Sequence, residues 1–290
     1  MRIIQMSDFH LRADGKLSFF KVDTEHQVNC LIQHMLDLQE YELPEFFVVS
    51  GDVSEGADID GYRLVKKNLE KLPRPAYVLP GNHDERDLML EIFDKELPVK
   101  DDIRPYLCYT IENPQLRTIV VDTAEEGKHW GGLSDRVAEW LDAEIKKDLE
   151  TPTIVFSHHP PFNTGLPAMD EGFGNADRYA EILGQHPNLV LRLGHLHTPL
   201  FTTWRGIQCA VCPSTSMQME VDFREKDGPY VSEEEAADNF KGGGDRFFVA
   251  NPAYMIHNLI DNRINTHIVP VNAGADYSGP FVFKYYEGEH

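Results

Sequence analysis

Glu45-Phe46-Phe47-Val48-Val49-Ser50-Gly51-Asp52 reads as a short strand that stops at a glycine and delivers a carboxylate. An unbroken run of β-branched and aromatic residues marks a strand covered on both faces. Gly51 lets the backbone turn sharply, and Asp52 offers two oxygens that can bridge two cations. The same grammar recurs along the chain. Arg2–Met6 leads to Asp8 and His10, Ala76–Leu79 to Gly81-Asn82-His83-Asp84, and Thr153–Ser157 to His158-His159. Leu189–Leu193 leads to Gly194-His195-Leu196-His197. Asp, Asn and His thus collect where strands end, in numbers sufficient for two metal ions. Two adjacent ions with oxygen and nitrogen ligands point to phosphate-ester hydrolysis.

Each motif alone is common; the set, in this order, is not. Asn82 is an unusual ligand, with a neutral carbonyl oxygen for a metal and an NH₂ that can donate to a phosphate. His83 beside it titrates near neutrality, which suits proton transfer. In extended backbone His158 and His159 point to opposite faces. They could be two ligands, or one ligand and one structural imidazole; His158, nearer the strand, is the preferred ligand, with His159 for packing or hydrogen bonds. His195 and His197, two residues apart, share a face if extended, which suits ligands on neighbouring metals.

Between the strands the apolar spacing predicts helices over Val22–Gln39, with Asp23 or Thr24 as cap, and over Asp58–Leu72, stopped by Pro73. Further helices are predicted over Glu85–Phe93, Ser134–Lys147 with Ser134 as N-cap, and Ala176–Leu183. Tyr106–Ile111 pairs with Arg117–Val121, and Leu200–Trp204 forms a hairpin with Gly206–Val211 around Arg205. Alternating strands and amphipathic helices predict a layered α/β fold, with mixed sheets because the later pairings are antiparallel. The segment 220–247, with Glu233-Glu234-Glu235 and Gly242-Gly243-Gly244, reads as a mobile surface excursion. Tyr277, Phe281, Phe283, Tyr285 and Tyr286 make an aromatic tail suited to packing on its own body or a neighbouring subunit.

The net charge is −21, from 48 acidic and 27 basic residues, which opposes a nucleic-acid polymer as partner. A small phosphorylated substrate remains compatible, because divalent cations reverse the local sign. No apolar run approaches the roughly 18–20 residues that cross a bilayer. Met1–Asp8 lacks the apolar core of a signal peptide, and Cys30, Cys108, Cys209 and Cys212 fit a reducing compartment, so the expected location is cytoplasmic. Cys209-Ala210-Val211-Cys212 has C-x-x-C spacing without a second pair, and reads as an apolar strand ending at Pro213.

Taken together, Asp8-x-His10, Gly51-Asp52, Gly81-Asn82-His83-Asp84, His158 and Gly194-His195-x-His197 resemble the calcineurin-like metallophosphoesterase superfamily over at least residues 1–215. Pro80–Asp84, His159-Pro160-Pro161 and Tyr277-Ser278-Gly279-Pro280 resemble its bacterial class III cyclic-nucleotide phosphodiesterase and glycerophosphodiesterase branch. The resemblance implies a four-layer αββα sandwich with two mixed sheets. It implies a dimetal core over 1–215 and, over 216–290, an excursion, closing strands and a C-terminal tail that caps the core or mediates oligomer contact. Asp8, His10, Asp52 and His197 would hold one ion, and Asp52, Asn82, His158 and His195 the second, with Asp52 bridging. The ions would be Mn, Fe, Zn or Co. Asn82, His83 and His197 would contact substrate, and His83 would contact the phosphate or protonate the leaving alkoxide.

The implied function is a dimetal phosphodiesterase of small diesters, glycerophosphodiesters or cyclic nucleotides, using in-line attack of a hydroxide bridging the metals. The alternatives are a phosphomonoesterase or nuclease with the same site, and a non-catalytic scaffold. Members of the glycerophosphodiesterase branch can carry a histidine where this chain has Met217, and the 220–247 segment also departs from their pattern.

Overall fold

The site loops leave from strands that are buried almost throughout. In chain order these are β1 (Arg2–Met6), β2 (Phe46–Ser50), β3 (Ala76–Leu79), β4 (Tyr109–Ile111), β5 (Arg117–Val120) and β6 (Gly131–Gly132). Next come β7 (Thr153–Phe156), β8 (Phe173–Gly174), β9 (Leu189–Leu193), β10 (Leu200–Trp204) and β11 (Ile207–Val211). The last are β12 (Gln218–Met219), β13 (Arg246–Val249), β14 (Ala253–Ile260), β15 (Arg263–Pro270) and β16 (Ser278–Val282). The helices are α1 (Thr24–Leu36), α2 (Ile59–Leu69), α3 (Arg86–Phe93), α4 (Asp135–Lys147) and α5 (Ala176–Leu183). This computed structural model describes residues 1–272 and 278–282, apart from 20, 57, 168, 222 and 224–245.

Two mixed sheets carry the architecture. The first has the order β15-β14-β1-β2-β3, parallel from β1 to β3 and antiparallel from β1 outward through β14. The second has the order β10-β11-β9-β7-β5-β4, parallel across β11, β9, β7 and β5 with an antiparallel strand at each edge. The sheets face each other: the Gln5 amide of β1 donates to the Leu193 carbonyl of β9 at 2.9 Å, and Phe156 of β7 meets His257 of β14. Helices cover the outer faces. His34 of α1 reaches the Tyr254 hydroxyl on the first sheet, and Glu144 of α4 holds Arg117 on the second. The result is the expected α/β sandwich, four layers deep. A third small sheet, β12-β13-β16, has no counterpart in the sequence reading.

Helix ends follow their caps. Asp23 accepts the His26 N–H and Asp58 the Asp60 N–H, so α1 and α2 begin two and one residues inside the predicted limits. Ser134 caps α4 by accepting from Val137, as expected. The hairpin β10–β11 turns at Arg205-Gly206, both at positive φ, as its right-handed twist requires. Beyond residue 215, β14 pairs with β1 and β15 with β14, extending the first sheet. Glu233–Glu235, Gly242–Gly244 and the tail residues Tyr277, Phe283, Tyr285 and Tyr286 fall outside the described residues. Cys209 and Cys212 are buried free thiols, in keeping with the strand reading. No helix among the described residues is long and apolar enough to cross a membrane.

Candidate metal centre

The motif loops converge on two clusters. Asp8, His10, Asp52 and His197 bring one ligand atom each within 4.8 Å of one another, and so do His158, His159 and His195. Asp52 joins them: its Oδ2 lies 3.6 Å from His10 Nε2 and 3.2 Å from His158 Nε2. Asn82 belongs to the second cluster, with its Oδ1 3.0 Å from His195 Nδ1. A third group, His10, Glu55 and His83, flanks the first.

The backbone achieves this by strain. Asp8, His10, Asp52, His195 and His197 all have φ between +44° and +73°. Non-glycine residues held left-handed cost of order 1–3 kcal/mol each and concentrate at functional sites. His195 and His197 are therefore not extended, contrary to expectation. Their rings part, His195 towards Asn82 and His197 towards His10, whose Nε2 is 3.0 Å away. The chain also bends after Phe156, so the opposite-face expectation for His158 and His159 fails. Their rings sit 4.7 Å apart and nearly perpendicular, both inside the cluster. Two glycines make room. A Cβ on Gly51 would lie 2.2 Å from His158 Nδ1, and one on Gly81 would lie 2.1 Å from Asp52 Oδ1.

Partners behind the imidazoles fix their tautomers. His10 Nδ1 faces the Glu55 carboxylate at 2.8 Å, His158 Nδ1 the Ser50 carbonyl at 2.8 Å, and His197 Nδ1 the Met217 carbonyl at 3.0 Å. All three partners are acceptors, so Nδ1 carries the hydrogen and Nε2 presents a lone pair, the usual arrangement behind metal-ligating histidines. The Nε2 lone pairs of His10 and His197 consequently oppose each other at 3.0 Å. Only a proton or cation between them relieves that contact. Ligands with bonds of about 2.0–2.1 Å to one ion sit at about this spacing. Asp8 Oδ2 and His158 Nε2 are buried without hydrogen-bond partners. The donor set fits borderline divalent ions, having oxygen and imidazole but no thiolate.

Electrostatics agree. Burial raises the Asp8 carboxyl to about 6, aided by Asp52. Burial would also raise Asp52, but His158 and His83 outweigh it and hold that carboxyl well below its usual range. Burial would lower His158, yet Asp52 carries it up to about 9. A proton there stands in for a cation. Burial would lower His83 as well, but Glu55 and Asp52 raise it to about 10. Burial and neighbouring His158 push His195 down to about 3.

Asn82, His83 and His195 keep partly exposed surface, whereas His197, expected to touch substrate, is buried. Two residues of the site had no role in the sequence reading. Glu55 sits between His10 and His83, at 2.8 and 3.3 Å. Asp84 accepts the N–H groups of Gly81, Val53 and Ser54, tying two site loops together. Asp84 was visible inside the Gly81–Asp84 motif; Glu55 follows Asp52 by three residues and carries no signal of its own.

A family model for calcineurin-like phosphoesterases matches residues 1–199. A probable glycerophosphodiester phosphodiesterase GpdQ of Arcobacter nitrofigilis is 28% identical, over 100% of this chain and 99% of the relative. The 3',5'-cyclic adenosine monophosphate phosphodiesterase CpdA of Escherichia coli K12 is 25% identical, over 76% of this chain and 78% of the relative. Among solved structures, GAP50 of Plasmodium, an anchor in the inner membrane complex, superposes with a TM-score of 0.58 at 14% identity. That match covers 99% of this chain and 90% of GAP50, and shows likeness of fold alone.

Proposed function

The chain belongs to the calcineurin-like phosphoesterase family, and from that premise we propose that it is a metal-dependent phosphodiesterase of small diesters. The observation that carries this reading is Asp52 Oδ2 of the first ligand cluster, set 3.6 Å from His10 Nε2 and 3.2 Å from His158 Nε2 of the second. Asp8, His10, Asp52 and His197 would hold one ion, and Asp52, Asn82, His158 and His195 the other. Mn, Fe, Zn and Co all suit such a set. Ions so held supply charge stabilisation at the phosphate and an acidified water.

The chain's own groups do the rest. Asn82, His83 and His195 have the exposed surface that meets substrate. The Asn82 amide, whose oxygen faces His195, turns its NH₂ to a phosphoryl oxygen. His83, braced on Glu55 at 3.3 Å, donates the proton that the leaving oxygen needs. Glycerophosphodiesters are the favoured diesters. The likeness to the Arcobacter protein runs the full chain, including the strands after residue 215, whereas that to the cyclic-nucleotide enzyme covers 76%.

The test is turnover by the Mn-loaded protein. The panel comprises glycerophosphocholine, glycerophosphoethanolamine, 3',5'-cAMP, 2',3'-cAMP, bis(p-nitrophenyl) phosphate and p-nitrophenyl phosphate. Diester turnover well above that of the monoester is the expected result. A clear monoester preference overturns the phosphodiesterase reading.

A further inference from the structure

His10, His158, His159 and His197 are all buried to within 4% of full enclosure, and one of the four is wired differently. The first, second and fourth have Nδ1 against acceptors, so their Nε2 lone pairs are free to bind a cation. His159 Nδ1 instead lies 3.0 Å from the Thr123 hydroxyl. That hydroxyl oxygen already takes the His159 backbone N–H at 3.4 Å. Among the described residues its hydrogen is within bonding distance of no acceptor but His159 Nδ1. Thr123 therefore donates, Nδ1 accepts, and Nε2 carries the hydrogen. A protonated Nε2 offers no lone pair to a metal. Yet it has no hydrogen-bond partner and shares a 4.8 Å cluster with the ring nitrogens of His158 and His195.

We infer that His159 Nε2–H is a neutral hydrogen-bond donor to a non-bridging phosphoryl oxygen bound on the His195 side, and that Thr123 is the positioning residue holding it in the donor tautomer. The inference rests on the phosphoesterase reading above. A fixed N–H of this kind stabilises charge as it builds on the oxygen, without any proton being transferred.

The surroundings are built to hold that geometry. Asp122, next to Thr123, takes Arg86 Nε at 2.7 Å and Nη2 at 3.0 Å, along with the N–H groups of Ala124 and Leu107. Gly131 presses on the imidazole so closely that a Cβ there would lie 2.5 Å from His159 Cγ. A pocket of about 150 Å³, lined by His159 and His195 with Trp130, Phe162 and Phe173, opens beside the donor. An organic arm of a diester can lie there while its phosphate reaches both histidines.

Four variants of the full chain test this: His159→Leu, His159→Gln, Thr123→Val and Thr123→Ser. The readouts are metal ions bound per chain, calorimetric affinity of the Mn-loaded protein for inorganic phosphate, and kcat and KM on bis(p-nitrophenyl) phosphate. His159→Leu and Thr123→Val should keep the wild-type metal count, weaken phosphate about tenfold, and lower kcat about tenfold or more. His159→Gln, whose amide can donate from a similar place, and Thr123→Ser, which keeps the hydroxyl, should recover to within about threefold. Loss of a metal ion in His159→Leu would make His159 a ligand and overturn the inference. So would undiminished phosphate affinity in that variant. A wild-type protein that binds metal and phosphate but turns over no diester would sink the phosphodiesterase reading instead, and the affinities would still decide the role of His159.

Discussion

His257 Nε2 donates to the side-chain oxygen of Gln5 at 2.9 Å, although 252 residues separate them. The bond is the middle link of a directed polar chain through the sandwich. Arg192 Nε donates to the Thr266 hydroxyl at 3.2 Å, and that hydroxyl donates to His257 Nδ1 at 2.9 Å. The Gln5 amide donates onward to Ser50 Oγ at 2.7 Å, and the Ser50 carbonyl takes His158 Nδ1. The links from Arg192 to Ser50 Oγ all donate one way, and His158 donates to the Ser50 carbonyl from the other side, so each buried group in the low-dielectric core is satisfied.

Replacing His257 with Leu leaves Gln5 Oε1 buried and unpaired. The expected cost is about 1–3 kcal/mol of stability by denaturant titration. Because the disturbance reaches Ser50, ion affinity at His158 should also fall by about tenfold. A destabilised variant with undiminished metal affinity would confine the chain to a structural role.

Asp52→Asn keeps the shape of the side chain and removes the negative charge between His10 and His158. Metal analysis should find at least half of the bound ions lost. Turnover should drop by more than about a hundredfold. Retention of both ions would show that Asp52 is not shared between them.

His83→Ala separates chemistry from binding. Its ring faces Glu55, outside both ligand clusters, so the metal count should hold. Turnover of substrates with poor leaving groups should fall by about 10²–10⁴, and that of nitrophenyl esters by less. Near-normal turnover of glycerophosphodiesters would remove the proton-donor role.

Gly51→Ala tests the close approach to His158. At φ +97° the new methyl would sit 2.2 Å from the ring, so His158 must move and its ion should be lost. Gly127→Ala is the control: it has φ +66° and nothing within 4 Å, so only the backbone cost of roughly 1 kcal/mol applies. Equal metal contents in the two variants would contradict the packing account.

Asp148 gives a pH signature away from the metals. Backbone N–H groups of Thr151 and Glu150 lower its carboxyl from 3.8 to about 2. A depressed carboxylate stabilises the fold above its unfolded value and loses that contribution as pH falls through the folded one. Asp148→Asn should therefore lower stability at neutrality and flatten the acid limb between roughly pH 4 and 2, so that the two proteins converge below about pH 2. An unchanged acid limb would show that these bonds do not persist in solution.

The strands of the site were legible because parallel strands buried on both faces read as near-continuous apolar runs, as in Phe46–Val49 and, interrupted only by Arg192, Leu189–Leu193. Helix starts at Asp23 and Ser134 were legible from capping chemistry, and that near Asp58 from apolar spacing. The later half of the first sheet was not. β15 is an edge strand whose residues are mostly exposed, so Arg263–Pro270 lacks the apolar signal. Which nitrogen of each histidine faces the site was equally hidden. It depends on Glu55, Met217, Ser50 and Thr123, none adjacent to the ring it orients. The left-handed backbone at His195 and His197 overturned the face rule, since alternation holds only where the chain is extended.

The seat of β1 between β2 and β14 sets a timetable for synthesis. The strand that leads to Asp8 and His10 keeps one edge open until Ala253–Ile260 has been translated. Until then the nascent chain carries an unpaired apolar strand edge, a template for pairing with other chains. The sheet behind the site is complete only once β14 has been made. Premature stops upstream of β14 are therefore expected to yield aggregates rather than weakened enzyme.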